Sequence, residues 1–262
     1  MEIALGFVIA LAISLTGVGA GSMTTPLLIL LLGVSPATAV GTALTFGAIV
    51  KIVSVPAYLM RRQIDLRILV LMLAGGAPGV LGGAFLISSW KGRGYESLLY
   101  AILGGLIAST AGFHLFRALK PARSQPVTER RALLPLLSLP IGAEVGFSSA
   151  GAGALGSLVL LGLTKLTAAE VVGTDLCFGL VISSIGGAIH LSAGNYDGAL
   201  LLKLVIGGIC GAITGSLLAG RIAPLPMRLA ILVMLVLLGT QLALHGQAGL
   251  PHLQAALSSF QR

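Results

Sequence analysis

Apolar residues form eight long segments along this chain, and short polar or charged stretches separate them. A transmembrane helix needs about 20 consecutive apolar residues, which rise about 30 Å at 1.5 Å per residue. The pattern therefore predicts an all-α polytopic membrane protein, in which the first and fifth segments are too long for one simple crossing. The segments lie at roughly 3–32, 36–59, 66–88, 97–119, 132–163, 168–193, 198–220 and 226–245.

The two overlong segments are each interrupted near the middle by glycine and hydroxyl residues. The first interruption covers 16–26 and includes Pro26, and the second covers 148–157. Each interior glycine costs a helix about 1 kcal/mol relative to alanine, and proline lacks the N–H that a helix needs. Inside a bilayer, irregular backbone is tolerated only against protein or a water-filled cavity. A broken apolar segment that occurs twice therefore indicates the substrate site of a transporter.

Charged residues make up only 9% of the 262 residues, whereas hydrophobic residues make up 56%. Soluble domains contain about 25% charged residues, so the composition excludes an ordinary soluble protein. The formal net charge is +8, and the Lys and Arg residues lie mainly in short loops between the apolar segments. The positive-inside rule accounts for this charge, and we predict no nucleic-acid partner.

Signatures of enzymes and metal sites are absent from the sequence. The two cysteines, Cys177 and Cys210, lie inside apolar segments without the spacing of a CxxC or zinc motif. The chain contains no HxxxH pair, no GxSxG turn and no P-loop, so neither hydrolysis nor ATP-driven pumping is indicated. We therefore predict that the protein is not an enzyme and holds no metal and no cofactor.

A shift of 132 residues, without any gap, superposes the second half of the chain on the first, and the register holds from Gly19 to Gly83. A constant register of this length favours a duplication. We predict two four-segment repeats, at 1–119 and 132–245, joined by a basic cytoplasmic linker at 120–131 and followed by a tail at 246–262. The aligned pairs include Gly41-Thr42 with Gly173-Thr174, Phe46-Gly47 with Phe178-Gly179, and Asp65 with Asp197.

The loop charges distinguish two ways of threading the interrupted segments through the membrane. If both segments dip in and return to the same side, the loop Lys and Arg residues are concentrated on one side more strongly than if both cross. The basic side is cytoplasmic by the positive-inside rule. This favours six crossings, two re-entrant hairpins, inverted repeats and both termini outside. Eight conventional crossings are the alternative.

Hydroxyl groups and free backbone N–H groups are expected around both interruptions. Helices that begin near Met23 and Leu155 would present unpaired N–H groups and the positive end of their dipoles to the bilayer interior. Such a cradle suits an oxyanion, because donors are plentiful and glycine lets the backbone approach closely. Tight helix packing with local hydroxyl–carbonyl bonds is the alternative. The candidate substrate-binding residues are Gly19, Gly21, Ser22, Thr24, Thr25, Gly41, Thr42, Thr45, Lys51, Ser148, Ser149, Gly151, Gly153, Gly173 and Thr174.

Three ionisable residues inside apolar segments are further functional candidates. Lys51 lies about 15 Å short of Arg61 along a helix, too deep for easy snorkelling, so it serves either as an anion contact or in a buried ion pair. Asp175 stands where the first half has Ala43, and both proton coupling and structural pairing are considered for it. Glu144 is either a second proton site or the buried partner of Lys51.

Three stretches of the chain form a recognisable signature. They are the run Gly19-Ala20-Gly21-Ser22…Pro26-Leu27…Leu32-Gly33…Ala39-Val40-Gly41-Thr42, the basic turn Arg61-Arg62-Gln63-Ile64-Asp65, and the helix with Gly75-Gly76…Pro78-Gly79…Gly83. In these stretches, and over residues 5 to 245 as a whole, the sequence resembles the TauE/SafE sulfite exporter family, also called the 4-toluene sulfonate uptake permease family. The sequence departs from the family at both interruptions: Ala20 and Ser22 stand where glycines are common in the family, and Leu158 stands opposite Pro26.

The resemblance implies a bacterial inner-membrane, multi-pass carrier for sulfite, for organosulfonates such as sulfoacetate, or for related sulfur anions. Its partners would be the small anionic substrate and membrane lipid, and a homodimer is compatible with this picture. Export needs no ATP, because an inside-negative potential expels an anion by about 2.3 kcal/mol per charge per 100 mV. The alternatives are a carrier of the same fold for a carboxylate, a thiol compound or a metal ion, and a membrane scaffold that transports nothing.

Overall fold

The computed structural model describes residues 1–16, 20–90, 96–119, 129–150, 153, 155–218 and 229–245. These residues are mostly helical, and within them five helices are long and apolar enough to cross a membrane, with spans at Pro36–Met60, Leu66–Ser89, Ser97–Leu119, Ala168–Ser192 and Gly198–Leu218. The prediction of an all-α polytopic membrane protein is confirmed. The helices are α1 (Glu2–Thr16), α2 (Ala20–Leu32), α3 (Pro36–Met60), α4 (Leu66–Trp90), α5 (Glu96–Leu119), α6 (Leu134–Ser148), α7 (Leu155–Leu163), α8 (Ala168–Ser192) and α9 (Gly198–Leu218), followed by α10 (Leu229–His245).

Both predicted interruptions separate two short helices. Helix α1 ends at Thr16, and α6 ends at Ser148, after which Ser149 takes a left-handed backbone conformation with φ 60°. The prediction that α2 begins near Met23 is wrong, because the helix already begins at Ala20 and contains Pro26. Its seventh residue lies beyond the first turn, so the missing N–H removes one intrahelical bond without ending the helix. The candidates Gly19 and Gly151 lie outside the described residues.

The α6–α7 hairpin enters and leaves at one end of the helix bundle. The N–H of Arg130, just before the hairpin, donates to the carbonyl oxygen of Leu163 at its end, at 3.1 Å. Helix α6 runs parallel to α4, because Gly75 packs on Pro135 and Gly83 packs on Ala143. The hairpin therefore opens at the end of the bundle where α4 begins.

The α1–α2 hairpin opens at the opposite end. Glu2 at the start of α1 forms an ion pair of 2.8 Å with Lys203, near the start of α9. The N–H of Asp197, just before α9, donates to the Thr42 hydroxyl near the start of α3, at 3.1 Å. The start of α1 and the start of α3 therefore lie at the same end, and α3 runs from there to the end where α4 begins.

Glycines bring the backbones of these parallel helices into contact, and the contacts recur at the shift of 132 residues. A Cβ on five of these glycines would overlap the facing backbone, and a Cβ on Gly215 would overlap the Ser14 side chain, so the close approach depends on them. This recurrence supports the predicted duplication. In the α4–α6 contact Gly75, Gly79 and Gly83 face Pro135, Leu139 and Ala143, and in the α9–α1 contact Gly207, Gly211 and Gly215 face Ile3, Phe7 and Leu11.

Two adjacent glycines of α4 provide a matched test of this packing. The Cβ of alanine at Gly83 would meet the Ala143 carbonyl, whereas nothing lies within 4 Å of a Cβ at Gly82. We expect Gly83→Ala to lower the free energy of unfolding by about 2 kcal/mol and Gly82→Ala to leave it unchanged or raise it by up to about 1 kcal/mol. Thermal unfolding in detergent measures both. Equal effects would contradict the packing.

Candidate functional site

The two interruptions are in direct contact. The hydroxyl oxygens of Thr25 on α2 and Ser149, just after α6, lie 2.5 Å apart. Gly21 packs so closely on Ser149 that a Cβ there would overlap its backbone carbonyl and its hydroxyl. Thr25 is fully buried and Ser149 is 3% exposed. The structure thus brings together hydroxyl and glycine positions that lie more than a hundred residues apart in the sequence.

This contact lies inside the bundle, away from both hairpin openings. Helix α2 has 13 residues and α6 has 15, so they rise about 20 and 22 Å. Helices α3 and α8 each have 25 residues and rise about 38 Å. Because the two hairpins open at opposite ends and neither spans the full height, their inner ends meet inside the bundle.

Lys51 is a buried cation near the middle of α3, 3% exposed. Its Nζ donates to the hydroxyl of Ser183 at 2.9 Å and to the carbonyl oxygen of Gly179 at 3.2 Å, both on α8. Residues 51 and 183 are equivalent under the 132-residue shift, so this bond joins the same position of the two halves. Sequence reasoning missed Ser183, although the shift applied to Lys51 points to it.

Glu144 is not the partner of Lys51 in this structure. Its carboxylate accepts a hydrogen bond from the hydroxyl of Thr110 on α5, at 2.7 Å. Among the described residues, the ion pairs are Arg131–Glu129 and Lys203–Glu2. The prediction that Glu144 pairs with Lys51 is therefore wrong, because α6 turns this side chain toward α5.

Asp175 lies at the N-terminus of α7. The sequence analysis predicts that this helix start binds the anionic substrate. Its carboxylate accepts a hydrogen bond from the hydroxyl of Ser157 at 2.6 Å. One of its oxygens packs against Gly156, where a Cβ would overlap it. Because both contacts are to the first turn of α7, the carboxylate lies at the positive end of that helix dipole. Asp175 is 2% exposed.

Thr42 and Thr174 hold loops at opposite ends of the bundle. Thr42 accepts the N–H of Asp197, and Thr174 accepts the N–H of Asp65 at 3.0 Å. Thr45 donates to the carbonyl oxygen of Gly41 at 2.9 Å. The structure therefore places Thr42 and Thr174 beside the interhelical loops rather than at the contact of Thr25 with Ser149, while Thr45 bonds within α3 and faces Gly187 of α8. Gly41 and Gly173 face the carbonyl oxygens of Asn195 and Gln63.

The hydrogen bonds from these loops to Thr42 and Thr174 are expected to stabilise the fold. Thr174→Val removes a buried acceptor and leaves the N–H of Asp65 without it, so we expect the free energy of unfolding to fall by about 1–2 kcal/mol. Thr42→Val should have the same effect through Asp197. Thermal unfolding of both variants measures this, with Thr240→Val on the exposed face of α10 as the control. A loss no larger than that of the control would contradict the anchoring role.

The other candidates lie around the interruptions. Ser22 and Thr24 are buried on α2. Ser148 donates to the carbonyl oxygen of Glu144 and accepts the N–H of Ala150, so it closes the end of α6. Gly153 has φ 93°, a conformation that favours glycine. Among the described residues, no group of three His, Cys, Asp or Glu side chains is placed to hold a metal ion.

Comparisons with known proteins agree on a family. The family model described as Sulfite exporter TauE/SafE matches residues 2–242. The probable membrane transporter protein YjnA of Bacillus subtilis (strain 168) is 30% identical over 249 residues, which cover 92% of this chain and 98% of that protein. A probable membrane transporter protein of Xylella fastidiosa (strain Temecula1 / ATCC 700964) is 28% identical over 226 residues, 83% of this chain and 84% of that protein. No solved structure matches this chain with significance.

Proposed function

This chain belongs to the sulfite exporter TauE/SafE family and is a membrane transporter, and from that premise we propose that it carries small sulfur oxyanions, such as sulfite and sulfoacetate, out of the bacterial cytoplasm. The observation that carries the proposal is the contact between Thr25 and Ser149 at the inner ends of two oppositely directed hairpins. Hydroxyl donors and helix starts suit an oxyanion. Lys51 adds the buried positive charge that an anion needs in a medium of low dielectric.

The membrane orientation follows from the charges. The described loop and helix-end Arg and Lys residues concentrate at the end where the α6–α7 hairpin opens, and the positive-inside rule makes that end cytoplasmic. The α1–α2 hairpin then opens outward, and the repeats are inverted across the inner membrane. In this proposal 1–119 and 132–245 are the repeats and 120–131 is the cytoplasmic linker. The basic residues at the α6–α7 end are Arg61, Arg62, Arg67, Arg117, Arg130, Arg131 and Lys165.

Oppositely directed hairpins that meet inside the bundle suit alternating access, because each hairpin separates the shared site from one side of the membrane. The membrane potential supplies the direction of transport. A uniporter for a monovalent anion reaches an equilibrium ratio of about 50-fold at 100 mV, because each charge contributes about 2.3 kcal/mol. Proton coupling through Asp175 or Glu144 is not needed for export, and we assign it no role in the proposal.

Flux into proteoliposomes tests the function. We expect saturable sulfite movement that follows an imposed potassium diffusion potential and that does not respond to a proton gradient at zero potential. Competition with sulfoacetate, thiosulfate, acetate and divalent cations defines the solute class. Sulfur oxyanions should compete strongly and acetate weakly. Inhibition by divalent cations alone, or the absence of saturable flux, would contradict the proposal.

A further inference from the structure

The carboxylate of Asp175 occupies the kind of position that the proposed substrate needs. It lies at the N-terminus of α7, held by Ser157, and it is 2% exposed. Asp175, Gly179 and Ser183 follow one another at intervals of four residues, so they share one face of α8. Lys51 donates to the second and third of these residues. The carboxylate therefore lies on the same face of α8 as the groups that hold the Lys51 ammonium, one helical turn from Gly179 and two turns from Ser183.

The equivalent corner of the first half has no such carboxylate. Under the 132-residue shift, Ala43 replaces Asp175 and Thr25 replaces Ser157. Thr25 instead forms its hydrogen bond with Ser149 of the other hairpin. The junction of α2 with α3 in the first half thus forms without the carboxylate that lies at the junction of α7 with α8. The fold alone does not explain why the second half carries one.

A buried charge without a partner is costly in a membrane, so the Lys51 ammonium and the Asp175 carboxylate balance each other when no substrate is present. An arriving oxyanion brings a second negative charge to the same cation. Two anions and one cation inside the bundle leave one net negative charge in a medium of low dielectric. The oxyanion is therefore bound stably only if the carboxylate moves away from Lys51 and from the start of α7.

We propose that Asp175 is an internal anion that competes with the substrate for Lys51 and the N-terminus of α7, and so sets the affinity of the carrier; this inference rests on the proposed function. The competition has a use in transport. A carrier must bind its substrate weakly enough to release it. A tethered carboxylate that returns to its position expels the bound oxyanion and leaves the empty site neutral for the next conformational step.

The test is the dissociation constant for sulfite, measured by calorimetry on the full chain in detergent at fixed pH and ionic strength. Asp175→Asn keeps the shape and the acceptor for Ser157 and removes the charge. We expect the dissociation constant to fall about tenfold or more, because the unpaired cation gains most from the added anion. The control is Glu2→Gln, which removes the same charge from an exposed ion pair at the end of the bundle and should change the constant less than about twofold.

Turnover provides the second readout. We expect sulfite exchange by Asp175→Asn to saturate at lower concentration and to have a lower maximal rate, since release becomes slower. The dissociation constant of Asp175→Asn could instead be unchanged or higher while the wild-type protein shows normal flux. That result would overturn the proposal that Asp175 competes with the substrate and would leave the proposed function intact. A wild-type protein without saturable sulfite flux would instead overturn the proposed function.

A measurement on the wild-type protein covers the case in which the variant does not fold. Infrared difference spectra with and without sulfite, on protein carrying ¹³C-labelled aspartate, report the environment of aspartate carboxylates. Sulfite itself contains no carboxylate and adds no signal there. We expect an aspartate carboxylate band to shift on saturation. Spectra without such a shift would overturn the proposal.

Discussion

Lys51→Met is expected to reduce sulfite transport by at least about a hundredfold. Methionine fills nearly the same volume but removes the buried positive charge, and it leaves the Asp175 carboxylate without a balancing cation. Each hydrogen bond between a charged donor and an oxyanion is worth about 1.5–3 kcal/mol, and a loss of about 2.8 kcal/mol in substrate binding corresponds to about a hundredfold. Initial rates of sulfite uptake into proteoliposomes measure the effect.

Two further variants separate the charge from the fold. Lys203→Met removes a cation from the exposed ion pair with Glu2 at the end of the bundle, and its transport should remain close to that of the wild type. The double variant Lys51→Met with Asp175→Asn contains no unbalanced charge, so it should regain thermal stability but not transport. Wild-type transport by the double variant would show that Lys51 acts only through the fold.

Gly21→Val is expected to have the second largest effect. Its side chain would overlap the carbonyl and the hydroxyl of Ser149, so the inner ends of the two hairpins must move apart. We expect transport to fall at least tenfold and the free energy of unfolding to fall by about 1–3 kcal/mol, as in other overpacked interiors. Sulfite uptake and thermal unfolding measure the two effects.

The control for this variant is Gly105→Val on α5. Nothing lies within 4 Å of a Cβ at that glycine, so the same change adds apolar surface without a collision. Its transport and stability should remain close to those of the wild type. Equal losses in the two variants would mean that valine acts through helix propensity rather than through the contact of the hairpins.

The sequence predicted the positions of the two helix interruptions better than the individual contacts around them. Clusters of glycine and hydroxyl residues in the two overlong apolar segments weaken the helix locally, so both interruptions could be located. The shift of 132 residues also relates Lys51 to Ser183. The start of α2 was not predicted correctly, because the effect of Pro26 on the helix depends on how far into the helix it lies.

The roles of Thr42, Thr174 and Asp175 depend on which segments become neighbours. Thr42 and Thr174 are bonded to residues more than a hundred positions away, and no local pattern reports such a pairing. Asp175 lies at the start of α7 only because α8 folds back on that half-helix. The sequence shows that these polar residues lie in apolar segments. The packing of the helices decides whether each side chain contacts the substrate, a loop or a helix terminus.

The most direct test is a structure of the protein with bound sulfoacetate, determined by electron microscopy in lipid nanodiscs. The account predicts density for the sulfonate group inside the bundle, within hydrogen-bond distance of the Thr25 or Ser149 hydroxyl. Sulfoacetate bound at another place, with the hydroxyls of Thr25 and Ser149 still bonded to each other, would contradict it.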